Sequence, residues 1–140
     1  MRRVIAIAAL SVMAAASAAQ AETWKPYGTP NGKGLQWAID TDYSYRDVQS
    51  GRVVVMQAIS KPGAEPRLGP SGPGKPDGVG NVVGLDCKGK TVIMIGSYAP
   101  TKPLELSANW RTGNANPPKS AEDRALLAAA CAGADQLASK

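Results

Sequence analysis

The chain of 140 residues has no histidine, no phenylalanine and only two cysteines. Without histidine it lacks the side chain that most often serves as general base or metal ligand, and every Ser-His or Cys-His nucleophile is excluded with it. The cysteines, Cys87 and Cys131, stand far apart, so there is no C-x-x-C motif of the kind that marks a redox-active thiol. Apart from the N-terminal stretch, no apolar run approaches the roughly 20 residues that a transmembrane helix needs. A strongly basic field is missing as well. Sixteen Lys and Arg against eleven Asp and Glu give +5, with no cluster of cations such as nucleic-acid phosphates demand.

What is present begins with an address. Arg2 and Arg3 precede an apolar stretch from Val4 to Ala16, which leads to the small-residue site Ala19-Gln20-Ala21. This is the pattern of a general secretory signal peptide over residues 1–21, cleaved between Ala21 and Glu22. It predicts a periplasmic or secreted protein without a transmembrane segment and, since no cysteine lies near the cleavage point, without a lipid anchor. Loss of the two arginines lowers the formal charge from +5 to +3. Residues 22–140 then form a single domain, a length that supports one modest core.

Period-two alternation dominates that domain. Leu35, Trp37, Ile39 and Thr41 alternate with Gln36, Ala38 and Asp40, and Tyr43 and Tyr45 continue the pattern into a short second strand or bend. A turn at Gln49-Ser50-Gly51 leads into a Val-rich strand, Arg52 to Ser60. Residues 61–81 hold five Pro and six Gly, which no regular strand or helix tolerates, and form a long loop. Val82 to Cys87, a Lys88-Gly89 turn and Lys90 to Tyr98 make a hairpin, pairing Leu85 with Val92 and Val83 with Met94. Leu104 to Trp110 is a weaker strand candidate. Upstream, Glu22 to Lys33 is turn-rich, but its Trp24 and Tyr27 are expected to dock on the body of the protein.

The last element is a helix from Ser120, its N-cap, to Ala138, with Glu122 and Asp123 in the first turn where they complement the helix dipole. Its apolar stripe runs through Leu127, Cys131, Ala134 and Ala138, flanked by Leu126, Ala130 and Leu137. Two cysteines in an exported chain, one closing a hairpin strand and one on a buried helix stripe, are expected to pair. The fold class is therefore α+β: a small antiparallel sheet of five or six strands, with the C-terminal helix tethered to one face by a Cys87–Cys131 disulfide. Because Val53, Val55 and Ile59 alternate with Val54, Met56 and Ala58, the sheet is apolar on both faces. One helix covers one face only. The other calls for sheet curvature, for the Trp24 and Tyr27 segment, or for a second copy in a homodimer.

Taken together, Trp24, Ile39-Asp40-Thr41, the strand Arg52 to Ile59, Asp86-Cys87, Trp110 and Cys131 resemble the surface-adhesin protein E-like family of bacterial exported proteins. The resemblance spans nearly all of residues 22–140. It implies a small antiparallel sheet with a disulfide-tethered C-terminal helix and, for function, surface exposure and adhesion to extracellular proteins.

Catalysis has little to work with. Asp40, Asp42, Asp47, Asp77 and Asp86 are the candidate carboxylates, and Asp40 and Asp42 would stand about 7 Å apart on one strand. That spacing suits paired acids, yet the two read as solvated polar positions. Nor do the acids follow an EF-hand spacing. The expected function is a non-enzymatic binding module without cofactor, whose ligand is a protein or a glycan. Its candidate surface is Tyr43 and Tyr45 together with Arg67, Lys75 and Asp77 of the Pro/Gly loop. The alternative is a periplasmic inhibitor of a hydrolase such as lysozyme, by analogy of fold alone, and the basic charge weighs against it.

Overall fold

The structure is a computed structural model that describes residues 23–64, 80–98 and 104–140. The expected signal peptide with its cleavage point lies outside the described residues, as do Arg67, Lys75 and Asp77.

Six strands follow one another as an antiparallel meander: β1 (Trp24–Tyr27), β2 (Gln36–Arg46), β3 (Val53–Ser60), β4 (Gly80–Asp86), β5 (Thr91–Tyr98) and β6 (Glu105–Leu106). The helix α1 (Ala121–Cys131) packs over β1 and β3, and a 3₁₀ turn, Ala134–Gln136, follows it. Ser120 caps α1 as expected. Its hydroxyl accepts from the Asp123 N–H at 3.0 Å, while the Asp123 carboxylate accepts from the N–H groups of Lys119 and Ser120.

The core has two sides, as β3 required. Toward the helix, Tyr27, Ile39, Val53, Val55, Val83 and Leu85 meet Leu126, Leu127 and Ala130. Complete burial of a leucine such as Leu126 contributes about 2 kcal/mol. On the far side, Val54, Met56, Val82 and Ile95 pack under Trp110, with Trp24, Tyr43, Tyr45, Ile93 and Leu104 partly buried around them. Trp110 thus covers part of the apolar second face from within the chain, and the side chains around it stay partly exposed. The Cys87–Cys131 disulfide joins the end of β4 to the end of α1, with Cα atoms 5.6 Å apart. Closing a loop between residues 44 positions apart stabilises the fold by up to about 4 kcal/mol in the chain-entropy view.

The bounds of the elements depart from the sequence expectation at five places. Trp24 to Tyr27 form an edge strand, and Pro26 fits there because an edge strand leaves half its N–H groups outside the ladder. β4 begins at Gly80, inside the expected loop. The hairpin turn spans four residues, Cys87 to Lys90, because Asp86 Oδ1 accepts from the N–H groups of Lys88 and Gly89, and Lys90 turns left-handed at φ 52°. Leu104 to Trp110 pairs only at β6, beyond which the chain turns to lay Trp110 on the sheet. Finally, α1 stops at Cys131 rather than Ala138, two residues before Gly133, a poor helix former. Ala134 and Leu137 still reach the helix-side core.

Pairing is as expected for Leu85 with Val92 and Val83 with Met94, but Val82 pairs with Gly96, leaving Ile95 as an extra residue in β5. That bulge accompanies burial of Ile95 in the far-side core, while Met94 is 55% exposed.

Candidate functional site

A second bulge shapes the face opposite the helix. In the first half of β2, Asp40 pairs with Met56, and in the second half Tyr45 pairs with Val54. Three residues are therefore added to β2 between two paired positions that are only two apart on β3. An odd insertion reverses the side of the sheet to which later residues point. Tyr43 and Tyr45, which strict alternation puts on the helix side with Ile39, accordingly pack on the far side with Val54 and Met56. Asp40 makes the bulge possible. It is buried, and its Oδ1 accepts from the freed N–H groups of Asp42 and Tyr43 at 2.9 and 3.2 Å, while the Ser44 hydroxyl donates to the Asp40 carbonyl at 2.7 Å.

The two tyrosine rings are half-buried neighbours, their centroids 6.2 Å apart and their planes tilted by 58°. Burial raises both hydroxyl pKa values above the ordinary tyrosine range; Tyr45 and Asp40 add to the rise at Tyr43, and Asp47 adds to it at Tyr45 against the opposing effect of Arg111. The rings are therefore neutral at physiological pH, and their hydroxyls are available as hydrogen-bond donors.

Beside them stands a charged support. Asp47 opens the turn between β2 and β3 and is 1% exposed. Its Oδ2 accepts from the Ser50 N–H and hydroxyl at 2.8 and 2.6 Å, and Gly51 completes the turn at φ 71°. Arg111 reaches the same carboxylate, with Nη2 2.9 Å from Oδ1 and Nε at 3.0 and 3.1 Å from the two oxygens. The Arg111 side-chain hydrogen bond is the main reason the Asp47 pKa falls to about 2, and the Ser50 bonds add to it against the opposing effect of burial. The guanidinium of Arg111 lies over the Trp110 ring, 4.6 Å from its centroid. Arg52 donates to the carbonyls of Trp110 and Gly113, fixing that segment from beneath. A second cation, the Lys140 ammonium, stands 5.1 Å from the Tyr45 centroid.

No family model, curated protein or solved structure matches the chain. Among the candidate residues the structure brings together Tyr43 and Tyr45 and joins them to Trp110, Arg111 and Asp47. Asp47 carried a readable turn signal, since Ser50-Gly51 follows it, but nothing in the sequence linked it to Arg111.

The other candidate carboxylates among the described residues close local structure. Asp40 holds the β2 bulge, Asp86 holds the hairpin turn, and Asp42 Oδ2 accepts from the Thr23 hydroxyl at 2.7 Å. Asp40 is buried and Asp42 exposed, so the two do not share a solvated strand face. Among the described residues no group of three or more Cys, Asp or Glu side chains is placed to hold a metal ion, and no helix is long and apolar enough to cross a membrane.

Proposed function

We propose that this chain is an exported, non-enzymatic binding module of the bacterial envelope or exterior, similar in kind to the surface-adhesin protein E-like family, with a protein or a glycan as its ligand. The observation that carries the reading is the Tyr43–Tyr45 pair, set on a rigid strand beside Trp110 and Arg111. Half-buried tyrosines offer large contact area at low entropic cost, and together with arginine they are the side chains most enriched at binding hot spots. Rigidity comes from the Asp40 bulge on one side and the Asp47–Arg111 bridge on the other. Export is supported by the Arg2 to Ala21 pattern and by a disulfide, a bond that persists in oxidising compartments. The Asp86-Cys87 pair at the end of β4 and Cys131 in the helix support the family likeness.

The test is capture by the immobilised, disulfide-intact protein from periplasmic extract, matrix proteins and soluble glycans. Wild type is compared with a Tyr43→Ala/Tyr45→Ala variant of unchanged circular dichroism. A ligand retained by wild type and lost by the variant supports the reading; equal retention by both rejects it.

A further inference from the structure

The outer edge of β2 changes neighbour part-way along. β1 pairs with Trp37 to Asp40, and Thr23 accepts from the Thr41 N–H, but β1 extends no further. Beyond the bulge, the segment after the 3₁₀ turn takes over. Arg46 N–H donates to the Ala138 carbonyl at 2.8 Å, Lys140 N–H to the Arg46 carbonyl at 3.0 Å, and Val48 N–H to the Lys140 carbonyl at 2.9 Å. Arg46 and Ser139 form a parallel bridge. This is the hydrogen-bond pattern by which an extended peptide adds to a sheet edge.

The segment is lightly held. Ala138, Ser139 and Lys140 are all exposed, and their attachments are the three backbone bonds, an Arg46–Ser139 side-chain bond at 3.2 Å and the Lys140 ammonium over Tyr45. Among the described residues no carboxylate lies within ion-pair distance of Lys140, whereas Arg46 has Asp135 at 4.0 Å and Arg111 has Asp47. Elements with exposed backbone bonds and few buried contacts open at the lowest free energy. The ring face of Tyr45 attracts a cation through its quadrupole, and the neighbouring cations are already matched by acids. A basic side chain arriving there meets an attractive ring and no unmatched positive charge other than Lys140, which it would displace.

Resting on the binding-module reading above, we propose that the Arg46–Val48 edge and the Tyr45 ring form a docking site for an extended peptide bearing a lysine or arginine. Residues 138–140 are its resident occupant. The partner's strand would take over the three backbone bonds, and its cation the place of the Lys140 ammonium.

The test uses the full chain, isotope-labelled for NMR, as wild type and as Lys140→Pro. The substitution removes both the N–H given to Arg46 and the ammonium. The probe is a peptide with the sequence of residues 136–140, set against the same peptide with glutamate replacing its lysine. In folded, disulfide-bonded Lys140→Pro the lysine peptide is expected to shift the Arg46 and Val48 amides saturably and to bind several-fold more tightly than to wild type, because the tethered competitor is weakened. The glutamate peptide leaves them unmoved. Lys140→Ala, which keeps the backbone bonds, responds between the two. No change at Arg46 and Val48, or an equal response to both peptides, overturns the proposal. Loss of ligand capture in Tyr43→Ala/Tyr45→Ala without any peptide response rejects this inference while leaving the binding reading intact. A peptide response with capture unaffected by the tyrosine substitutions supports the docking site and rejects that reading.

Discussion

Arg111 closes a turn 64 residues away from it, giving Nε to both carboxylate oxygens of Asp47 and Nη2 to Oδ1 at 2.9 Å. The carboxylate is buried and the guanidinium is 42% exposed, so the pair is anchored at its acidic end and open to solvent at its basic end. Through it the turn between β2 and β3 is tied to Trp110, the cover of the far-side core.

Replacing Asp47 with alanine leaves the Ser50 N–H and the Arg111 guanidinium without their shared acceptor. Loss of hydrogen bonds to a buried charged group costs about 2 kcal/mol, a figure moderated by the solvent that reaches Arg111. A lowered urea midpoint at unchanged slope is the expected result, with a smaller loss for Asp47→Asn, which keeps one acceptor oxygen.

The same bridge sets a pH dependence. The folded-state pKa of Asp47, held at about 2 chiefly by its hydrogen bond with Arg111, lies below the ordinary value of 3.8. The folded state therefore binds that proton less readily than the unfolded chain does. The resulting stabilisation is complete above pH 3.8 and fades as pH falls toward 2. Denaturation of wild type and Asp47→Asn across this range should show their stability difference shrinking with acid; a constant difference contradicts the assignment.

Asp40 is expected to control the side of the sheet on which the tyrosines lie. Asp40→Ala strands the N–H groups of Asp42 and Tyr43 inside the bulge, each costing about 1 kcal/mol or more. Asp40→Asn retains an acceptor and should be milder. The measurement is thermal stability together with the ring-current shifts between Tyr43 and Tyr45, which Asp40→Ala alters and Asp40→Asn largely preserves.

Trp110 should prove the costliest single truncation on the far side. It is 4% exposed over Val54, Met56, Val82 and Ile95, and loss of a buried tryptophan side chain costs about 3 to 5 kcal/mol. Trp110→Ala should also uncover the far face, read as increased binding of an apolar dye. A stability change below about 1 kcal/mol would show that this face is covered in some other way.

Much of this architecture could be read from local chemistry. Cys87 and Cys131 betrayed their pairing by falling on a strand end and a helix stripe, and Ser120 with Asp123 marked the helix start. The features that shape the site were hidden because they arise from pairing between distant segments. Strict alternation assigns Tyr43 to the side of Ile39, and only the three-residue offset against β3 reverses it. Ile95 bulges for the same kind of reason. Arg111 follows Trp110 in a segment with no periodic signal, so its reach to Asp47 depends on where the chain turns after β6. The stop at Cys131 and the return of residues 138–140 to β2 were masked by an alanine-rich sequence that continues the helical pattern past Gly133.

On the proposed function, the far face around Tyr43 and Tyr45 makes the contact with a ligand. Backbone amide shift mapping of the disulfide-intact protein, titrated with the ligand it captures, tests this most directly. The largest changes are expected at Tyr43, Tyr45, Arg46 and Arg111. Changes confined to the helix around Leu127 and Ala128, with β2 unmoved, would contradict it.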